Sequence, residues 1–345
     1  MFPLWEDVIA PVIDAVGARR IIEIGALRGE TTTRMLERLG SECELHVVDP
    51  EPQFDPAEHE RAFPGQYHFH LGTSLDVLPG LPPADVVLVD GDHNWYTVYN
   101  ELWLLADTSQ RAGAPLPVLV LHDVCWPYGR RDLYYAPERI PAEFRQPYRR
   151  AGMRPGQSAL VGNGGMNRDM ANAEHEGGPR NGVMTAVDDF VAEHTEPLRV
   201  SVVPIFYGLA VVTEHRVLGA HPALAALLDR LDSPEGQADV TRWAERIRVD
   251  EAIFGQAWIR MLEERGQRGA NRYLDLVKAM ILDERNLDHE LRVSYLLGLR
   301  GAPPDLAALR DPPRTMPVRR ERLWRGTWRW GRSAACGRGH RCGGT

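Results

Sequence analysis

Short apolar runs alternate with stretches of helical period along the first two thirds of the chain. Leu4, Val8, Ile9, Val12, Ile13 and Val16 recur at three- and four-residue spacing and predict an amphipathic helix over residues 5–17. Ile21 to Ile24 is a short apolar run; Gly25 and Gly29 bracket a tight turn, and Thr31 to Leu39 carries Met35, Leu36 and Leu39 at helical spacing. Leu45 to Val48 is a second run, ending on Asp49, and Tyr67 to Leu71 alternates as a third strand before Gly72-Thr73-Ser74. Two further buried strands, Asp85 to Val89 and Val118 to Leu121, flank a helix predicted over Asn94 to Ala106. Val183, Met184, Val187, Phe190 and Val191 mark another helix, and Leu198 to Val203 and Tyr207 to Val212 read as closing strands joined through Pro204. Strands alternating with helices in this way predict an α/β fold built on a doubly wound sheet.

The remaining segments set the domain organisation. Residues 51–66 hold Pro52, Pro56, Pro64 and Gly65 and read as a loop with a short helix. Residues 125–182 are too long for an ordinary connection and read as an insertion, a lid or substrate wall over the strand ends. The insertion interleaves Trp126, Tyr128, Tyr134, Tyr135, Phe144 and Tyr148 with Arg130, Arg131, Arg139 and Arg145. Aromatic faces pack on sugar rings, and arginines pair with phosphates or carboxylates. Residues 217–311 read as a helical annex suited to homo-oligomerisation, which leaves residues 1–216 as the main domain. Residues 312–345 are basic, rich in Trp, Gly and Arg, without apolar period, and read as a disordered tail; Cys336, His340 and Cys342 are too few and too irregular for a zinc site.

Composition narrows the classes of function. A chain of 345 residues, 43% hydrophobic, buries a sizeable core, and a formal net charge of −8 argues against nucleic acid as a partner. No run of about 18 apolar residues predicts a membrane span. The first twenty residues lack the basic start of a signal peptide, and the four cysteines form no disulfide framework. A cytoplasmic protein is the expectation.

The turn after the first strand has the form Glu-x-Gly-x-x-x-Gly, in which Glu23, Gly25, Ala26, Gly29 and Thr31 surround a ligand-sized bend. It lacks a glycine of the dinucleotide fingerprint, and two glycines behind an acid suit an adenosyl ligand without phosphates. Glu23 orders the turn or meets a positive amino group, and Asp49 is placed to take both ribose hydroxyls. Thr73 or Ser74 either hydrogen-bonds an adenine or caps the next helix. This pattern resembles the class I S-adenosylmethionine-dependent methyltransferases. The resemblance implies a Rossmann-like sheet of seven strands, the last antiparallel, and S-adenosylmethionine as cofactor.

The two central strands deliver Asp90-Gly91-Asp92-His93 and His122-Asp123 to their carboxyl ends. Buried acids and histidines there are costly unless paired, metal-bound or catalytic. Converging oxygen and imidazole donors suit Mg²⁺ or Mn²⁺. DVVLVDGDHNWYTVYNEL followed by VLVLHDV is similar to the small-molecule O-methyltransferase family related to macrocin and other antibiotic-sugar methyltransferases. That likeness implies Asp90 and Asp123 as metal ligands, with His122 where relatives often carry an acid. It also implies Asp90 in the cofactor pocket, His93 as catalytic base, Asp92 orienting a neighbour, and a sugar or glycosylated metabolite as acceptor. RYLDLVKAMILDERNLDHELR resembles the opening of a macrocin-type enzyme too, although oligomerising helices are the plainer reading. Three alternatives stay open: a structural hydrogen-bond network of Asp90, His93 and His122, a nicotinamide-dependent oxidoreductase, and a non-catalytic adenosyl-binding or assembly protein.

Overall fold

The computed structural model describes residues 1–264, of which Met1–Phe254 form one compact unit. Its centre is a seven-stranded sheet of β1 (Arg20–Ile24), β2 (Glu44–Asp49), β3 (Tyr67–Leu71), β4 (Val86–Val89), β5 (Val118–His122), β9 (Leu198–Val203) and β10 (Leu209–Glu214). The order is β3-β2-β1-β4-β5-β10-β9. β1 to β5 pair in parallel, and β10 runs antiparallel to both β5 and β9. This is the doubly wound sheet that the strand pattern predicts, with the seven strands and antiparallel last strand that the resemblance implies. The direction of winding reverses between β1 and β4, which opens a crevice at their carboxyl ends.

Alternation along the strands sorts the core into two layers. Ile21, Leu45, Val47, Val86, Leu88, Val118, Val120 and Val211 face one side. There they meet Val12 and Ile13 of α1 (Ala10–Val16), Met35 and Leu36 of α2 (Glu30–Arg38), and Leu224 and Leu228 of α8 (Pro222–Asp232). Ile22, Ile24, Val87, Val89, Leu119, Leu121 and Val212 face the other. They pack on Val98, Leu102 and Leu105 of α5 (Trp95–Arg111) and on Val187 and Phe190 of α6 (Val183–Glu193). Because α8 shares a core with α1, the boundary expected near residue 216 falls inside the compact unit.

Several elements differ in extent from the sequence pattern, for local reasons. The first helix begins as a wider π turn over Trp5–Ile9 and becomes regular only at Ala10. Pro11 has no N–H to give the carbonyl of Asp7, so an ordinary α ladder cannot run through it. The last strand starts at Leu209 rather than Tyr207, because Phe206 and Tyr207 adopt φ of +49° and +68° and form the turn. α5 extends to Arg111, and Asn94 starts it by accepting the Thr97 N–H at 2.9 Å. In the loop before β3, the short helix α3 spans Pro56–Ala62, and α4 (Ser74–Val77) follows β3. α7 (His215–Ala220) and α9 (Pro234–Glu264) complete the described helices, none of which is long and apolar enough to cross a membrane. The part of the expected helical annex beyond residue 264 and the tail with Cys336, His340 and Cys342 lie outside the described residues.

The insertion is an ordered substructure. β6 (Leu133–Tyr134), β8 (Ala171–Ala173) and β7 (Tyr148–Arg150) form a three-stranded antiparallel sheet with β8 in the middle. Four polar side chains, Arg131, Asp132, Asn172 and Asn181, are at most 2% exposed. Burial of such groups is tolerated only when they are bonded. Arg131 donates to the carbonyls of Ala173 and Ser158, and Asn172 donates to those of Ala151 and Asn167. Asp132 accepts from the Trp95 N–H at 2.7 Å, the Gly182 N–H at 2.6 Å and the Tyr134 hydroxyl at 2.7 Å. It thereby fastens the insertion to the first turn of α5. Asp132→Ala strands three buried donors and is expected to cost about 3 kcal/mol, read as a lower urea midpoint.

Candidate active site

The turn after β1 is shaped by close approach. Gly25 has φ of +84°, and a Cβ there would run into the carbonyl oxygen of Asp90 and the Cα of Gly91. Only glycine lets the β1 turn cross the end of β4 at this distance. Glu23 is buried beneath the turn and accepts the Thr32 hydroxyl at 2.5 Å. Burial pushes its carboxyl up to about 8 against the opposing pull of that bond. Thr31 is buried in the first turn of α2, which Gly29 starts in left-handed backbone. Asp49 holds the turn from β2: one oxygen accepts the N–H groups of Ala26 and Leu27, each at 2.9 Å, and the other accepts the Glu51 N–H at 2.7 Å.

Two apolar side chains stand open beside Asp49. Leu27 is 46% exposed, and Leu71, the register partner of Asp49 on β3, is 72% exposed. Thr73 and Ser74 are turned to protein partners. Thr73 donates to Asp76 at 2.6 Å, and buried Ser74 donates to Glu101 of α5 at 2.5 Å. Asp92 accepts the Thr97 hydroxyl at 2.9 Å and so belongs to the first turn of α5.

Beyond the Gly25 crossing, β4 and β5 bring Asp90, His93, His122 and Asp123 together. Asp123 adopts φ of +59°, a left-handed conformation that Asp tolerates better than most residues. Its Oδ2 lies 2.8 Å from Nε2 of His93 and 2.9 Å from Nδ1 of His122. Asp90 Oδ1 lies 3.1 Å from the same His122 nitrogen and 3.8 Å from His93 Nε2, and its Oδ2 accepts the Met1 amino group at 2.8 Å. The second nitrogen of His122 donates to the main-chain carbonyl of Phe206 at 2.9 Å. Nδ1 of His93 meets the hydroxyl of Tyr135 at 3.3 Å. Asp90, His93 and Asp123 each offer a ligand atom within 4.8 Å of the others.

Electrostatics follow from these contacts. Burial pulls the His122 imidazole down, but Asp90 and Asp123 outweigh it and raise it to about 9. Burial likewise opposes charge on His93, and Asp123 leaves it above its ordinary value. Both carboxyls are held low against burial, Asp123 chiefly by His93 and Asp90 chiefly by the Met1 ammonium and His122. The His122 imidazolium and the Met1 ammonium thus offset the two carboxylates, and His93 shares the Asp123 oxygen with His122.

The residues that sequence reasoning had not assigned to this cluster come from outside β4 and β5. Tyr128 and Tyr135 of the insertion place their rings 5.6 and 5.8 Å from that of His93. The aromatic richness of the insertion was the available signal. No comparable signal marked the Phe206 carbonyl, because a main-chain partner is set by the turn. Two of the insertion arginines bond within the chain, buried Arg131 to carbonyls and exposed Arg130 to Asp188 and Thr185.

Residues 22–124, which contain all four clustered side chains, match the family profile described as a methyltransferase domain. No curated protein matches the chain. Among solved structures, the chain is similar to an O-methyltransferase from Bacillus cereus in complex with SAH, at 14% identity and a TM-score of 0.37, over 60% of this chain and 81% of that one. It is also similar to the O-methyltransferase TomG from Streptomyces achromogenes, involved in tomaymycin synthesis and solved with SAM. The values there are 18% identity and a TM-score of 0.35, over 59% of this chain and 78% of that one.

The His122 imidazole is expected to titrate near pH 9. This folded value lies above the ordinary imidazole value of about 6.5, so its stabilisation is complete below about pH 6.5. It is lost as pH rises through about 9. Ring ¹⁵N spectra across that range check it, and a His122 midpoint at or below 6.5 would exclude the charged pairing.

Proposed function

We propose that this protein is an S-adenosylmethionine-dependent O-methyltransferase acting on a hydroxyl group of a small molecule. The observation that carries the reading is a carboxylate-paired histidine, Asp123 to His93 at 2.8 Å, beside a glycine turn on a methyltransferase domain. The turn is read as the adenosyl site, although Asp49, expected to take the ribose hydroxyls, spends both oxygens on main-chain N–H groups. Asp49 has its carboxylate at the end of β2, exposed Leu27 and Leu71 flank it as apolar faces for a base, and Gly25 keeps the floor free of a side chain. Glu23, kept protonated by burial and bonded to Thr32, orders the turn, and Asp90, which here accepts the Met1 ammonium, is the acid read as meeting a positively charged amino acid moiety.

When bound, S-adenosylmethionine supplies an already electrophilic methyl group, so the chain has to align an acceptor oxygen and remove its proton. His93 is the proton acceptor in this reading. Asp123 orients its ring and stabilises the imidazolium that forms, and Asp92 fixes the first turn of α5 next to it. The acceptor is read as a sugar hydroxyl of a natural product or glycan, from the likeness of residues 85–102 and 118–124 to the macrocin-type enzymes.

A divalent cation, Mg²⁺ or Mn²⁺, is a second element of the proposal, carried by His122. One nitrogen of His122 donates to a main-chain carbonyl while the other faces two carboxylates, which is how oriented metal-ligating histidines are held. Asp90, His122 and Asp123 would hold the ion, which would supply Lewis acidity toward an acceptor oxygen.

His93→Gln is expected to lower turnover by about 100-fold or more while S-adenosylhomocysteine binding, measured calorimetrically, stays within a factor of a few. Normal turnover would remove His93 from the mechanism. In the same calorimeter, adenosyl ligands should bind and NAD⁺ should not; the reverse would favour the oxidoreductase. Chelation followed by Mg²⁺ or Mn²⁺ readdition should abolish and restore turnover, and activity indifferent to both would leave the four-residue network metal-free.

A further inference from the structure

Neither ring nitrogen of His93 stands open. Nε2 is on Asp123 at 2.8 Å, and Nδ1 is on the hydroxyl of Tyr135 at 3.3 Å. An acceptor hydroxyl cannot reach the lone pair of such a base without displacing one of these partners. Asp123 is the less replaceable, because it carries the compensating charge. The remaining route runs through the phenol, which both donates and accepts hydrogen bonds.

We propose that Tyr135 is a catalytic residue of the methyl transfer, receiving the acceptor's proton at Oη and passing its own to Nδ1 of His93. The inference rests on the O-methyltransferase reading and adds a residue from the insertion to it. The step balances. The acceptor O–H bond breaks and its proton joins Tyr135 Oη, while the former phenol proton joins His93 Nδ1. The methyl carbon exchanges its bond to sulfur for one to the acceptor oxygen, and the sulfonium becomes a neutral thioether. Tyr135 ends neutral, and His93 ends as an imidazolium against Asp123.

The insertion is built to hold this arrangement. Leu133 donates its N–H to the carbonyl of His93 at 2.9 Å, so β6 is locked to the main chain of the residue it serves. Tyr134, the last residue of β6, turns inward, giving its hydroxyl to Asp132 and accepting the Gln146 N–H at 2.8 Å, while in the bend that follows the hydroxyl of partly exposed Tyr135 meets His93. Tyr128 closes another side of the His93 ring, its own hydroxyl held by Asn167 at 2.7 Å and Asn172 at 3.2 Å.

Tyr135→Phe in the full-length protein tests the proposal, since it keeps the ring and removes only the hydroxyl. The first readout is diethyl pyrocarbonate modification of His93, followed by peptide mass spectrometry. Uncovering Nδ1 should speed labelling of His93 several-fold, and equal rates in the two proteins would overturn the proposal. The second is turnover with S-adenosylmethionine on 4-hydroxybenzoate and methyl glucoside as probes. On a probe that the wild type methylates, kcat should fall about 100-fold while KM and S-adenosylhomocysteine affinity hold. An unchanged kcat would overturn the relay. A wild type that binds no adenosyl ligand would sink the methyltransferase reading instead, and the labelling comparison would still decide whether Tyr135 covers His93.

Discussion

Four ionisable side chains lie at the ends of two strands that are buried on both faces, and none of them is tolerable there alone. Asp90 and Asp123 require positive or hydrogen-bond-donating neighbours, which His122, His93 and the Met1 ammonium supply. Much of the surrounding structure serves this mutual pairing. β1 has to turn away over the end of β4, which leaves room for no side chain at Gly25. The β9–β10 turn has to present a carbonyl to His122, and it does so through two consecutive bulky residues in left-handed backbone, Phe206 and Tyr207. Such conformations are held only where the surroundings demand them, and they concentrate at functional sites.

The sheet was legible because its strands report their surroundings directly. Runs such as VLVL and VVLV have no polar face, as expected for parallel strands covered on both sides. Boundaries were less legible where one residue overrode the pattern. Pro11 displaced the start of the first helix, and the Phe206–Tyr207 turn took two apolar residues that read as strand. The three-stranded sheet of the insertion left no trace in the pattern. Its strands are two or three residues long, too short to show a period. Its interior is organised by Arg131, Asp132, Asn172 and Asn181, residue types that ordinarily mark a solvated loop.

For the candidate site, sequence spacing gave positions and left directions undetermined. That Asp90, His93, His122 and Asp123 end adjacent strands follows from the order of apolar runs. Which oxygen meets which nitrogen depends on backbone angles such as the positive φ of Asp123, which no residue type announces. Thr73 and Ser74 show the same limit: a hydroxyl after a strand suits a ligand or a helix start equally well, and here Asp76 and Glu101 take both. Arg130 and Arg131 illustrate the converse, charges that suggest an anionic ligand in sequence and are taken up by partners within the chain in the fold.

The first turn of α5 belongs to two substructures at once. Asn94 and Asp92 shape it from the sheet side, and Asp132 grips its Trp95 N–H from the insertion. The insertion is therefore not a cassette with clean edges at residues 125 and 182. A graft that exchanged it for a longer or shorter relative would strip a helix start of its buried acceptor, and the histidine beside that start would lose its seat. The portable unit is discontinuous: the insertion travels with residues 92–97, and homologous loops can be exchanged only when a carboxylate arrives at the place Asp132 now fills.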